Sequence, residues 1–222
     1  MVSKALINFL EKLAKNNHKE WFHEHKDEYK EVRREFQQYT AFLIAEIANF
    51  DESVKHLEPK DCIFRINRDI RFSNDKRPYK TNFGAFIAPG GRKSGYAGYY
   101  FHLEPANSFI AGGVFMPAPK NLKAIRNEIY ENIDEFKSIL KASEFQKHFG
   151  ELDEIEKLKT APKGFPKNFR DIDLLNHKHY TVSKPLKKDL LHSEKLTSEI
   201  AKAFQALYPM NYFLNDAIEN RG

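Results

Sequence analysis

Apolar side chains recur at helical spacing through residues 1–50. In "SKALINFLEKLAKNN" Leu6, Phe9, Leu10 and Leu13 fall on one face, which predicts a helix stopped by Asn16 and Asn17. "NHKEWFHEHKDEYKEVRREFQQYTAFLIAEIANF" then restarts a helix, with Asn17 as its cap and Glu20 three residues on, the spacing of a capping box. Phe22, Tyr29, Val32, Phe36, Leu43 and Ile47 make a broken stripe along it, so it reads as one long, kinked helix. The chain therefore opens with a two-helix N-terminal segment.

Beyond Pro59 the period shortens to two. In "CIFRINRDIRFS" Cys62, Phe64 and Ile66 take one face, and Ile63, Arg65 and Asn67 the other. Arg68 falls in phase with Ile66 and Ile70, which predicts a bulge or tight bend at residues 67–69. "NFGAFIAPGG", "GYAGYYFHLEP" and "NSFIAGGVFMP" read as three further strands, with "GGRKSG" as a hairpin tip. Residues 60–118 thus form the main β region. Residues 119–222 read as mainly helical. Asn132 and Ser143 are plausible caps there, Gly150 a helix end, and "HKHYTVSK" (177–183) one more strand. "SEKLTSEIAKAFQALYP" and "MNYFLNDAIEN" read as two separate closing helices. The expected fold class is α+β: an antiparallel sheet of about five strands packed against helices, as a single domain over residues 1–222.

Composition changes this picture little, but the distribution of charge changes it considerably. Residues 60–93 hold nine basic side chains against three acids, an excess larger than the net charge of +5 of the whole 222-residue chain. A field focused in this way points to an anionic partner. Cys62 is the only cysteine, which excludes an internal disulfide and a cysteine metal cluster. No apolar run approaches bilayer length and the first residues lack a signal-peptide pattern, so a cytoplasmic location without membrane contact is expected.

Six stretches, "NNHKEWFHEHKDEY", "FRINRDIRFSNDKRPYKTNFGAF", "GYYFHLEP", "AGGVFMP", "LKAIRNEI" and "LKTAPKGF", resemble in order the motifs of the family called domain of unknown function 2461. The resemblance spans nearly the whole chain. It implies one full-length domain and carries no catalytic roles with it.

Candidate chemistry centres on residues 65–80. Arginine suits phosphate and carboxylate because its planar fork donates two parallel hydrogen bonds. Arg65, Arg68, Arg71, Lys76, Tyr79 and Lys80 are the candidate ligand-binding residues, with Asp69 placed to orient an arginine. In "YYFHLEP" Tyr100, His102 and Glu104 share one strand face, and a histidine beside a carboxylate is equipped for acid–base work. His102, Glu104 and Asp69 are therefore the catalytic candidates. The opposing reading is a cross-strand Glu104–arginine pair with His102 as packing. The two glycines of "AGGV" mark a close approach by ligand, backbone or a bulky side chain such as Trp21.

Other motifs carry less. "GGRKS" lacks the spacing and following helix of a phosphate-binding loop. His177 and His179 alone make no metal site, so none is assigned, and no motif names a cofactor or an oligomeric state. Three functional readings remain. The first is a protein or enzyme for an anionic, phosphorylated small molecule. The second is a nucleic-acid-binding or protein-interaction module on the same basic face, less favoured because no sheet-based RNA signature is present. The third is a scaffold with an internal Arg–Asp network.

Overall fold

The computed structural model describes residues 2–222. Helix α1 (Lys4–Lys15) starts at Ser3, whose hydroxyl accepts from the Leu6 N–H while Glu35 accepts from Ser3, and it buries the predicted stripe of Leu6, Phe9, Leu10 and Leu13. The next helical stretch divides at His25 into α2 (Lys19–Glu24) and α3 (Lys26–Ala48). His18, not Asn17, caps α2, its ring accepting from the Trp21 N–H. Asn17 clasps the backbone of Tyr79 instead: its amide donates to Tyr79 O at 3.0 Å and its carbonyl accepts from Tyr79 N–H at 3.1 Å. The start of the helical segment is thereby tied to the end of the basic run.

Four strands make one antiparallel sheet in the order β1 (Phe83–Ile87), β2 (Gly98–Leu103), β3 (Phe109–Val114), β4 (Tyr180–Pro185). The expected strand at residues 62–72 is absent, which accounts for the difference from about five. Pro59–Cys62 is a helical turn (α4), and residues 63–79 make only the isolated pairs Ile63–Ala85 and Asn67–Tyr79. The cause lies in the two aspartates. Asp69 Oδ1 accepts from the Arg71 N–H and Asp75 Oδ1 from the Arg77 N–H, and such two-residue side-chain bonds curl the backbone away from a ladder. Residues 68–78 leave the sheet as an excursion, closed at its base by Arg68 N–H to Pro78 O (2.9 Å) and Lys80 N–H to Ile66 O (2.8 Å).

The register gives the sheet two unlike faces. Phe83, Ala85, Ile87, Tyr99, Phe101, Leu103, Ile110, Val114, Tyr180 and Val182 point inward, all buried, toward α3 and the C-terminal helix α10 (Leu196–Arg221). Gly84, Phe86, Tyr100, His102, Phe109, Ala111 and Ser183 point outward. α10 runs unbroken through Pro209, where two helices were expected. Its buried stripe continues across that residue as Leu207, Met210, Phe213, Leu214, Ala217 and Ile218, and this burial offsets the roughly 3 kcal/mol that an internal proline costs. Gly112 meets α10: a Cβ there would stand 2.1 Å from Leu207 Cδ2. Leu207, rather than Trp21, is thus the bulky neighbour of Gly112, while Gly113 meets the Tyr180 carbonyl and Met210; Trp21 stacks on His25 at 4.0 Å.

Between β3 and β4 lie α5 (Pro119–Glu131), α6 (Ile133–Lys141), α7 (Ser143–His148) and the short α8 (Ile172–Asn176); α9 (Lys188–Leu191) precedes α10. Neither Asn132 nor Ser143 makes the expected side-chain cap, Ser143 being already the first helical residue, whereas Gly150 sits at φ +76° just past α7. None of the helices among the described residues is long and apolar enough to cross a membrane.

Candidate functional site

The outward face of β2 carries a chain of polar groups. Tyr100 and His102 alternate with the buried Tyr99, Phe101 and Leu103, and Glu104 follows at the strand end. Tyr100 Oη lies 2.9 Å from His102 Nδ1, and His102 Nε2 lies 3.4 Å from Glu104 Oε2. Thr81 donates to Glu104 Oε1 at 2.8 Å, and Asn82 Nδ2 lies 3.4 Å from His102 Nδ1. Phe109, directly opposite on β3, stacks on the imidazole at 4.5 Å. Gly84 makes room for the tyrosine, since a Cβ there would stand 2.8 Å from Tyr100 Oη.

These contacts fix the protonation pattern. Burial pushes the Tyr100 hydroxyl up to about 12, so it keeps its proton and donates to Nδ1. The imidazole proton then resides on Nε2, facing Glu104. Burial holds His102 below its usual range, Glu104 opposes that shift, and the Lys80 charge adds to it. A neutral histidine between a phenol and a carboxylate is arranged to pass a proton along the row. The side chains of His102 and Glu104 are 14% and 28% exposed, so the carboxylate is the more open end.

The predicted binding residues separate into two groups. Those of the excursion bind one another. Arg68 reaches Asp75 at 2.6 Å, the Arg77 carbonyl at 3.2 Å and Ser73 at 3.4 Å. Arg77 also holds Asp75, and together the arginines keep that carboxyl far below the usual range. Arg71 is paired with Asp69 at 2.7 Å, and the Lys76 ammonium donates to the Ile70 carbonyl at 3.2 Å. Tyr79 is buried face to face with Phe22 at 3.9 Å. Asp69 is therefore committed to Arg71, with the Arg65 charge acting on it as well.

Arg65 and Lys80 form the second group, at the base of the excursion. Neither has a carboxylate partner among the described residues. The Lys80 ammonium lies 5.2 Å from the centre of the Phe64 ring. Burial, and then the nearby Arg65 charge, hold it below the usual lysine range. Phe64 in turn meets Tyr100 edge-on at 6.2 Å. The structure thus brings Lys80 to Tyr100, His102 and Glu104, leaves the exposed Arg65 beside Lys80, and commits Asp69, Arg68, Arg71, Lys76 and Tyr79 to other contacts. Thr81 and Asn82 belong to the group and were not singled out by sequence; their only signal was their position immediately before β1.

Fold and site together define an α+β protein with one four-stranded antiparallel sheet, helices on its inner face and a polar row on its outer face. The chain belongs to the family described as conserved hypothetical protein (DUF2461), whose model matches residues 5–213. No curated protein and no solved structure matches it.

Proposed function

We propose that the outer sheet face beside β1 binds a small anionic ligand, in the first instance a phosphorylated metabolite, and that the Tyr100–His102–Glu104 row supplies acid–base chemistry to it in the cytoplasm. The observation that carries this reading is Lys80: a partly buried ammonium without a counter-charge, crowded by Arg65, next to that row. Buried charges are ordinarily paired, so a vacant cation beside a proton relay is the arrangement an incoming anion completes. Lys80 and Arg65 hold the anion. His102 accepts or returns a proton, Glu104 supports its charged form, and Tyr100 holds its Nδ1.

A second reading rests on Phe72, which is 96% exposed at the excursion's tip with Arg71 5.8 Å from its ring centre. An exposed ring beside arginine suits stacking with a base of single-stranded nucleic acid. Thermal melting at low salt against inorganic phosphate, nucleotides, phosphosugars and a short oligonucleotide separates the two. A rise with small phosphorylated ligands that falls to half or less in Lys80→Met supports the first reading. A response to the oligonucleotide alone, falling steeply with salt, supports the second. No response to any of them sinks both.

A further inference from the structure

At the opposite edge of the sheet, just before β4, three side chains with metal-binding chemistry surround one lysine. Asp173 lies in α8 and His177 follows that helix four residues on, so the helical pitch brings them to one side. The segment carrying Glu154 and Lys157 runs antiparallel beside them. Lys157 and His177 are a bridge pair, the Leu158 N–H donates to Asn176 O at 2.8 Å, and the Lys178 N–H donates to Glu156 O at 3.0 Å. Arg126 donates to His177 O and Tyr180 Oη to Leu174 O, each at 2.9 Å, so the backbone on the helix side is held as well.

Within this frame a ligand atom of Glu154, one of Asp173 and one of His177 all lie within 4.8 Å of one another. Lys157 Nζ bridges the carboxylates, 2.5 Å from Glu154 and 2.8 Å from Asp173. His177 is the independent observation. It is only 2% exposed, and its Nδ1 has no hydrogen-bond partner among the described residues. The imidazole packs 5.9 Å from the Tyr180 ring, and that packing leaves its buried nitrogen, beside two carboxylates, unsatisfied.

We propose that Glu154, Asp173 and His177 form a binding site for a divalent transition-metal ion of the zinc or manganese kind, with Lys157 holding the carboxylates together when no ion is bound. One imidazole and two carboxylates suit such ions better than magnesium or calcium, which take oxygen ligands. Ligands around a tetrahedral ion with bonds of about 2.0 Å stand roughly 3.3 Å apart. The exposed Glu154 and Asp173 side chains supply that closure by changing rotamer, and they leave an entry path from solvent. Two carboxylates then balance the ion's charge once Lys157 swings into water. This site is separate from the anion-binding face and does not depend on it.

The test is calorimetric titration of the full chain with zinc, together with cobalt absorption as a report of coordination. The wild type should take up one ion per chain. Lys157→Met removes the competing cation and should tighten uptake by at least about tenfold. The Glu154→Gln/Asp173→Asn double variant should weaken it by about a hundredfold or more, and His177→Gln should do likewise while changing the cobalt spectrum. His179→Gln should leave uptake unchanged, since that ring accepts from the Met116 N–H and faces Glu156 instead. Absence of one-to-one uptake by both the wild type and Lys157→Met overturns the proposal. So does uptake that survives the carboxylate double variant. If His177→Gln fails to fold, the double variant decides, because both its positions are exposed.

Discussion

Lys80→Met separates a binding role for this residue from a structural one. An ammonium partly withdrawn from water without a counter-charge costs on the order of 1 kcal/mol once the remaining solvent screening is allowed for. Its contact with the Phe64 ring contributes about 0.5–1 kcal/mol in the other direction. Methionine keeps the apolar stem against Phe64 and removes both charge effects. The variant should therefore fold with stability between unchanged and about 0.5 kcal/mol higher, a melting rise of at most about 2 °C for a chain of this size. An anion at a hundredfold excess over its Kd stabilises the wild type by about 2.7 kcal/mol, or about 5–10 °C. Losing one charge-assisted hydrogen bond of about 1.5–3 kcal/mol weakens Kd by some 10- to 150-fold, so at the same concentration the shift should fall to half or less. Differential scanning fluorimetry with and without phosphorylated ligands measures both quantities. A variant that melts several degrees lower would make Lys80 a structural element. An undiminished ligand shift would remove it from the site.

The packing and the charges give three further expected outcomes. Gly112→Ala should cost about 2–4 kcal/mol by pressing on Leu207 and on the Gly98 carbonyl, and combining it with Leu207→Ala should cost less than the sum of the two singles by at least about 0.5 kcal/mol; strict additivity in denaturant melts would place the strain at the carbonyl alone. Arg68→Met removes three contacts inside the excursion, so limited proteolysis should cut within residues 68–78 faster while global stability moves by less than about 1 kcal/mol; an unchanged cleavage rate argues against Arg68 as the pin. His102 takes up its proton below its ordinary value of 6.5, chiefly because it is buried, so between those two values the unfolded chain binds more protons than the fold. Stability should accordingly decline as pH falls through that window, with buried His148 adding to the slope, and His102→Gln should flatten it; an identical slope in the variant refutes the assignment.

The sequence predicted the β2 face well because its alternation is local and uninterrupted. Tyr99, Phe101 and Leu103 turn inward and Tyr100 and His102 outward, as the two-residue period requires. The same period misled at "FRINRDIRF", where Asp69 bonds to the backbone two residues on and replaces ladder pairing with a turn. There the break in phase at Arg68 marked a bend at residues 67–69, but the polar residue decided its conformation and the length of the excursion. Pro209 misled for the complementary reason: a local breaker was overridden by a stripe buried against the sheet. Asn17 holding Tyr79, and Leu207 covering Gly112, are contacts between residues far apart in the chain, which no local pattern encodes. Asp173 and His177 had a usable signal in their four-residue spacing, but only once the five-residue helix α8, for which the sequence offered no separate pattern, is in place.

Within the basic run, the cations with neither a carboxylate nor a carbonyl partner among the described residues lie at its two ends. Residues 65–80 contain six cations and two carboxylates. Asp75 takes Arg68 and Arg77, Asp69 takes Arg71, and Lys76 finds a backbone carbonyl. Two cations remain, Arg65 and Lys80, and they are not scattered. The Asn67–Tyr79 bridge and the Lys80–Ile66 hydrogen bond close the excursion between them and bring both ends of the run to the same edge of β1. Burial, and then the repulsion between these two like charges, weakens the hold of Lys80 on its proton. The excess of four positive charges is therefore divided between a loop whose four cations are held by two carboxylates and a backbone carbonyl, and the pair Arg65 and Lys80 at its base. On the proposed reading, a doubly charged anion such as a phosphate monoester relieves that repulsion and a neutral ligand leaves it in place, so ligand charge is the first property such a site would select.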